Sequence, residues 1–530
     1  MLSTHSRFQT SVILASTLVL MTCSNGTDSQ SNQAAAHSEE IAWFQGSVEE
    51  AFAYAKETRK PVFLYWGAVW CPPCHYLKDK IFTKPEFVAK SKLFVPVYLD
   101  GDTERAQIWG EKLDTNGYPT VIVLDPEGVE VLRMSSEVPI AEYTDVLDLA
   151  LAATRPITEV VEGVLEIGPA SAERNDLGQL AYHSWGQDSN FDFSSTEMLD
   201  ITRRLWSETP AEVQPERSRF LSLYFDVLDS QEELNLSEGE KSLLLAEITT
   251  VLNDPALRRS NWWLFAYGLE PVASMVTAEG DQRDQLVERW LQLAAEMEVD
   301  ETLTTAERIE AFRPRISAAK LAQKEDEELP GELMDVVRQK VQWASERTTN
   351  ANELQSVMNA MAHLLRDSGL KSEAIDLLKS RVDDAVAPYY YMSWIGWLEN
   401  DAGNPEVAID WYRKGWETST GFATRLQRGA GFIRTMLEIT PGDLESVLQD
   451  SLSLASEHLV DDSAFSGRNR RSWERLSTAL LEWAEDDGER QEVLAKVREA
   501  VTQNCDQVAP DSESDGHAAC VGFLDSAEEM

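Results

Sequence analysis

Basic residues are scarce in this sequence. Lys and Arg number 47 against 91 Asp and Glu, a formal net charge of −44 over 530 residues. Most of the acidic excess lies after residue 155, and the sequence shows no basic stripe. Such a chain repels nucleic acid and anionic lipid surfaces, so no nucleic-acid partner is expected. Its acidic surface reads as solvation or as a docking face for basic partners. Cysteine and histidine are sparse too, at 5 and 7 copies. Proline and glycine, at 20 and 27, are not enriched, which argues against wholesale disorder. Beyond Met21 no apolar run approaches the ~18 residues of a membrane span. No HExxH, phosphate loop or Ser/His/Asp array is evident. No cofactor and no metal are expected.

What is present begins with residues 1–22, read as a signal peptide. Arg7 precedes an apolar run from Val12 to Met21, too short for a mature span but suited to a secretory h-region. Leu20-Met21-Thr22-Cys23 resembles a bacterial lipoprotein cleavage box. That resemblance implies lipidation of Cys23, membrane attachment by this anchor only, and a periplasmic location. Thr22 departs from the small residue usual there, and the other reading is an ordinary cleaved signal. Residues 23–40 are polar and read as a flexible tether.

Setting Cys23 aside leaves two pairs, Cys71/Cys74 and Cys505/Cys520. An even remainder in an exported chain fits disulfide pairing. The second pair reads as a structural disulfide, or else as a second redox pair exchanging with the first.

Residues 41–155 predict the order α-β-α-β-α-β-β-α. Ser47 and Glu50 form a capping box, "PVFLYW" is a buried strand, and a helix runs over Pro72–Lys80. "FVPVYLD" and "YPTVIVLD" are further strands, and Thr103 caps a short helix between them. Cys71 thus stands just before a helix, whose unpaired N–H groups and dipole stabilise a thiolate. Pro72 and Pro73 lack N–H groups that a first turn can spare. Cys71 is the expected nucleophile, and Cys74, one turn further in, the expected resolving thiol. A zinc site would need two more ligands, for which only His75, His517, Cys505 and Cys520 offer themselves. His75 is either an exposed helix residue or a positive charge that lowers a cysteine pKa.

Trp70-Cys71-Pro72-Pro73-Cys74, followed about 45 residues later by Tyr118-Pro119-Thr120, resembles the thioredoxin fold. The likeness is greatest to the branch that includes the C-terminal domain of the transmembrane disulfide reductase DsbD. It implies a cis Pro119 facing the cysteines, with Tyr118 and Thr120 flanking a substrate segment. It also implies protein or peptide thiols and disulfides as substrates, and an upstream membrane electron donor. Many thioredoxins carry a buried Asp six residues before the first cysteine. Here Tyr65 stands there, with Glu57, Asp79 or water as substitutes.

Residues 156–530 read as helices throughout. "SGLKSEAIDLL" and "AGNPEVAIDWY" align at a 34-residue spacing, matching Gly369 with Gly403, Ala374 with Ala408 and Ala362 with Gly396. This resembles tetratricopeptide repeats over residues 355–420. The region reads as a platform for a protein client or as a structural domain with a tryptophan core. The expected architecture is therefore an α/β thioredoxin-like domain followed by a large all-α helical-repeat domain. The expected activity is thiol:disulfide exchange, favouring reduction. The alternative is a helical scaffold with a disulfide-donating or sensory module.

Overall fold

The structure is a computed structural model that describes residues 40–135, 138–139, 142–188, 190–191, 193–231, 236–323, 327–459, 462–508, 520 and 522–524. Cys23, His517 and the expected signal and tether lie outside the described residues, save Glu40. Ser47 opens α1 (Val48–Thr58) with the expected capping box. The apolar run that follows is β1 (Val62–Gly67), every residue of it buried. Next come α2 (Pro72–Lys80), α3 (Pro85–Ser91), β2 (Val95–Asp100) and α4 (Glu104–Lys112), the last capped by Thr103. The α/β part closes with β3 (Thr120–Leu124), β4 (Glu130–Met134) and α5 (Tyr143–Ala152). Helix α3 is an addition to the expected order. Its signal is short: Pro85 at the first position, then Phe87 and Val88 turned into the core.

The strands lie in the order β2-β1-β3-β4. β1 runs parallel to β2 and antiparallel to β3. The antiparallel pairing sets Trp66 opposite Thr120. The end of β1 therefore meets the start of β3, which brings the cysteine loop and Tyr118-Pro119 to one edge.

All-helical structure follows, and it packs on the sheet rather than apart from it. From Glu40 onward the chain is one compact unit. The helix Arg174–Tyr182 and the turn after it cover the free edge of β4: Gln179 donates to the Val131 carbonyl at 2.8 Å, and the Ser184 N–H to that of Arg133 at 2.9 Å. Covering an edge strand in this way blocks edge-to-edge association. One apolar core joins Phe63 and Tyr65 of β1 to Trp206, Trp262 and Trp290 of the helices.

The 34-residue repeat is real. It forms the helix pairs Ala351–Asp367 with Lys371–Lys379 and Pro388–Asp401 with Pro405–Thr418. Gly369 and Gly403 turn the chain with φ of 79° and 83°, a region open to glycine at little cost. Ala374 and Ala408 are wholly buried, where small side chains let the helices close. Further helices, Phe422–Ile439, Leu444–His458, Gly467–Ala484 and Gly488–Val508, continue the stack. Cys505 and Cys520 are joined in a disulfide that ties Phe523 against Trp473. The tryptophan core expected of this region takes in Trp262, which is buried, but not its neighbour Trp263, which is 43% exposed. The short helix Trp262–Tyr267 cannot bury both on one face, since successive helical residues point about 100° apart.

Candidate active site

Cys71 is the N-cap of α2, with extended backbone, and its Sγ accepts a hydrogen bond from the Cys74 N–H at 3.2 Å. The two sulfurs are bonded, with Cα atoms 5.2 Å apart. Pro72 and Pro73 fill the first two helical positions, so of the first three only Cys74 offers an N–H. The spacing of the motif thus sets both the approach of the sulfurs and the single donor.

The Tyr118-Pro119 bond is cis. Tyr118 packs against the cysteine cluster and stands edge-on to Trp70, with ring centroids 5.7 Å apart. Burial pushes the Tyr118 hydroxyl up to about 12, so it stays protonated at neutral pH. Thr120 takes a different part. It is wholly buried at the start of β3, with its hydroxyl 2.7 Å from the Gly117 carbonyl and 3.0 Å from Gln187 Oε1. His75 is not an exposed helix residue: only 9% of it is accessible, and its Nε2 lies 2.5 Å from the Val69 carbonyl. A nitrogen facing a carbonyl at that distance carries the proton and donates it. His75 thereby staples the loop before the motif to the helix after it.

Tyr65 occupies the place of the usual acid and stacks on Tyr98 at 5.3 Å. Its buried hydroxyl has no hydrogen-bond partner among the described residues. Lys78, beside both rings, donates to the Tyr98 hydroxyl at 3.2 Å. Desolvation lowers the Lys78 pKa. Glu57 is exposed and Asp79 pairs with Lys80 at 2.8 Å, so neither is an evident buried acid.

The helical region covers this site. Cys71 is 2% exposed and Cys74 1%. Trp70 donates from Nε1 to the Thr424 hydroxyl at 2.9 Å and stacks on Tyr390. Gln355 and Ser356 donate to the carbonyls of Trp70 and Pro72 at 3.2 and 3.1 Å. The cover is held by caps supplied from the α/β part. Asp102 accepts from the Thr424 N–H at the start of the Phe422–Ile439 helix, at 2.8 Å. Gln107 Oε1 accepts from the N–H groups of Arg468 and Asn469, and Glu111 from that of Gly467 at 2.6 Å. These are the orphan donors that any helix leaves at its first turn. Nothing in the sequence marks them, because Asp102 and Thr424 are 322 residues apart.

A basic surface exists after all. Arg428 and Arg434 on one helix, and Arg468 and Arg475 on another, line a pocket of about 340 Å³ floored by Trp70. Its signal in the sequence is arginines at helical spacing, obscured by the acidity around them.

A metal reading finds no second ligand pair at the cysteines among the described residues. Glu130, His183 and Asp188 do converge elsewhere. There Arg133 donates to Glu130 at 2.9 Å and lies 3.9 Å from Asp188, giving the carboxylates a cation already. His183 and Arg133 hold the Asp188 carboxyl down to about 2, against the cost of burial, which is the largest single influence and acts upward.

Residues 42–126 match the model of a family described as thioredoxin-like. No curated protein matches the chain. A thioredoxin-like domain carrying a Cys71–Cys74 pair at disulfide distance supports thiol:disulfide oxidoreductase chemistry in general terms.

Proposed function

We propose that this chain is an exported thiol:disulfide oxidoreductase that reduces disulfides, with Cys71 as nucleophile and Cys74 as resolving thiol. The observation that carries this is the position of Cys71 at the N-cap of α2, its sulfur facing the Cys74 N–H. The Cys71 thiolate attacks a substrate sulfur and forms a mixed disulfide; Cys74 then attacks Cys71 Sγ and releases the reduced product. The missing N–H groups of Pro72 and Pro73 support the reducing direction. A thiolate with fewer donors is less stabilised, which lowers the reduction potential of the pair. The likeness of the motif to the DsbD C-terminal domain points the same way, towards electrons from a membrane donor and a location at the periplasmic face, anchored through Cys23. In a Cys74→Ala variant the substrate should accumulate as a mixed disulfide on Cys71, while Cys71→Ala should trap nothing. Equal trapping by both variants would overturn the assignment of roles.

Burial of the pair favours a second reading, a redox sensor whose helical cover responds to the state of Cys71–Cys74 and carries a protein client. Limited proteolysis of the oxidised and reduced forms separates the two: a sensor changes its cleavage pattern, a plain reductase does not.

A further inference from the structure

The pocket over Trp70 is unusual in charge. Its four arginines come from two packed helices: Arg428 and Arg434 with Thr424, Gln427 and Gly431 on one, Arg468 and Arg475 with Ser472 on the other. Residues 424, 427/428, 431 and 434 share a face at helical spacing, as do 468, 472 and 475. Among the described residues no carboxylate lines the pocket, in a chain of net charge −44. Among the described residues none of the four arginines makes an ion pair, whereas neighbouring Arg425 and Arg470 are paired with Glu457 and Glu111. Arg428 and Arg468 instead lie over aromatic faces: Arg428 5.5 Å from the Trp70 ring centroid, Arg468 4.6 Å from that of Tyr118. Burial holds both guanidinium pKa values down. Like charges held together without a counter-ion are costly, and an anionic ligand relieves that cost. A Cβ at Gly431 would meet nothing within 4 Å, which leaves the space over the helix open.

We propose that this pocket is a subsite for the carboxylates of a small acidic disulfide, which the cysteine pair reduces. This rests on the oxidoreductase reading above. The size of the substrate follows from the cover: Arg468 lies on Tyr118, and Thr424 and Gln355 hold Trp70, so the edge where an extended chain would pair is occupied. A cavity of this volume suits a small ligand. Trp70 both lines the pocket and packs on the cysteine cluster, so a ligand seated there lies one side chain away from the cysteine pair. In the exchange the Cys71 thiolate bonds to one substrate sulfur, and the other leaves as a thiolate with the electron pair of the broken S–S bond. Cys74 then forms the Cys71–Cys74 bond and expels the second thiolate. The protein dithiol is oxidised, the substrate is reduced to two thiols, and the two cysteine protons pass to them.

The test compares two symmetrical disulfides of similar size, anionic 3,3′-dithiodipropionate and cationic cystamine, against the reduced full chain. Each rate is normalised to exchange with free dithiothreitol. The expected result is a preference of about tenfold or more for the anion, falling towards unity in the Arg434→Gln/Arg475→Gln variant and in high salt. Both residues lack ion-pair partners among the described residues, so the variant should fold, which circular dichroism checks. Equal wild-type rates, or a preference untouched by the substitutions, would overturn the subsite and leave the oxidoreductase reading intact. If neither disulfide reacts and Cys74→Ala traps no mixed disulfide either, the oxidoreductase reading fails. Binding of suberate, a sulfur-free dicarboxylate, to the oxidised chain then decides the subsite alone through tryptophan fluorescence. Reaction confined to long acidic peptide disulfides would overturn the assignment to a small substrate.

Discussion

The carboxylate of Asp102, in the loop after β2, caps the helix that begins beside Thr424, accepting its backbone N–H at 2.8 Å. Trp70 closes the same corner through the Thr424 hydroxyl. Thr424 therefore ties the redox motif to the helical stack, together with Gln355 and Ser356, which hold the Trp70 and Pro72 carbonyls.

Loss of this cap should loosen the cover. Asp102→Ala leaves one helix start without its acceptor, at a cost of about 1 kcal/mol. Gly421→Ala should do more, since φ is 87° there and an added Cβ would stand 2.3 Å from Asp102 Cγ. Both variants should speed alkylation of reduced Cys71 several-fold, Gly421→Ala the more. Unchanged labelling in both would show that the cover opens by another route.

Pro73→Ala restores one N–H near the Cys71 thiolate. One added hydrogen bond of about 0.5–1.5 kcal/mol corresponds to roughly 10–30 mV in a two-electron couple. The potential of the pair should become less negative by that amount, as read by equilibration with glutathione. A shift to more negative values would contradict the single-donor account of the motif.

Glu310 should make stability depend on pH. Burial raises its carboxyl to about 7, although Trp262 Nε1 donates to it at 2.7 Å, and Glu307 and Arg313 lie nearby. An ordinary carboxyl in the unfolded chain titrates near pH 4.3, so below that pH both states hold the proton. Between about 4.3 and 7 the unfolded chain has lost it and the folded chain keeps it. Stability therefore falls as pH rises through this window, by an amount of the order of 1–3 kcal/mol. Glu310→Gln should remove the fall, and the gap in urea midpoint between variant and wild type should widen from pH 5 to pH 8.

The Cys505–Cys520 bond spans 15 residues and closes over buried Trp473 and Phe523. Removing it in a Cys505→Ser/Cys520→Ser variant should cost about 3 kcal/mol in local unfolding, read by hydrogen exchange of the last helix. Disulfide exchange at Cys71 should persist. Loss of turnover with the fold intact would make this pair a redox relay instead.

Much of the fold is legible in the sequence because local rules and global packing agree. The Ser47 capping box, the Pro72–Lys80 helix, the buried β1 and the 34-residue helix pairs all rest on short-range signals. Helix α3 escapes such reading because it has only seven residues and no side-chain cap, too little for periodicity to register. The burial of His75 escapes it for another reason: its partner, the Val69 carbonyl, comes from the preceding loop, whose path no spacing reveals.

By itself the sequence determined the reactive group. Two cysteines at helical separation, with prolines between them and a strand before them, must place their sulfurs together at a helix start. Only the tertiary structure decided what surrounds that group. The cover on Cys71, the caps from Asp102 and Gln107, and the arginines gathered over Trp70 each join residues hundreds of positions apart. Such contacts depend on how packed helices meet, which local propensity and pattern leave open.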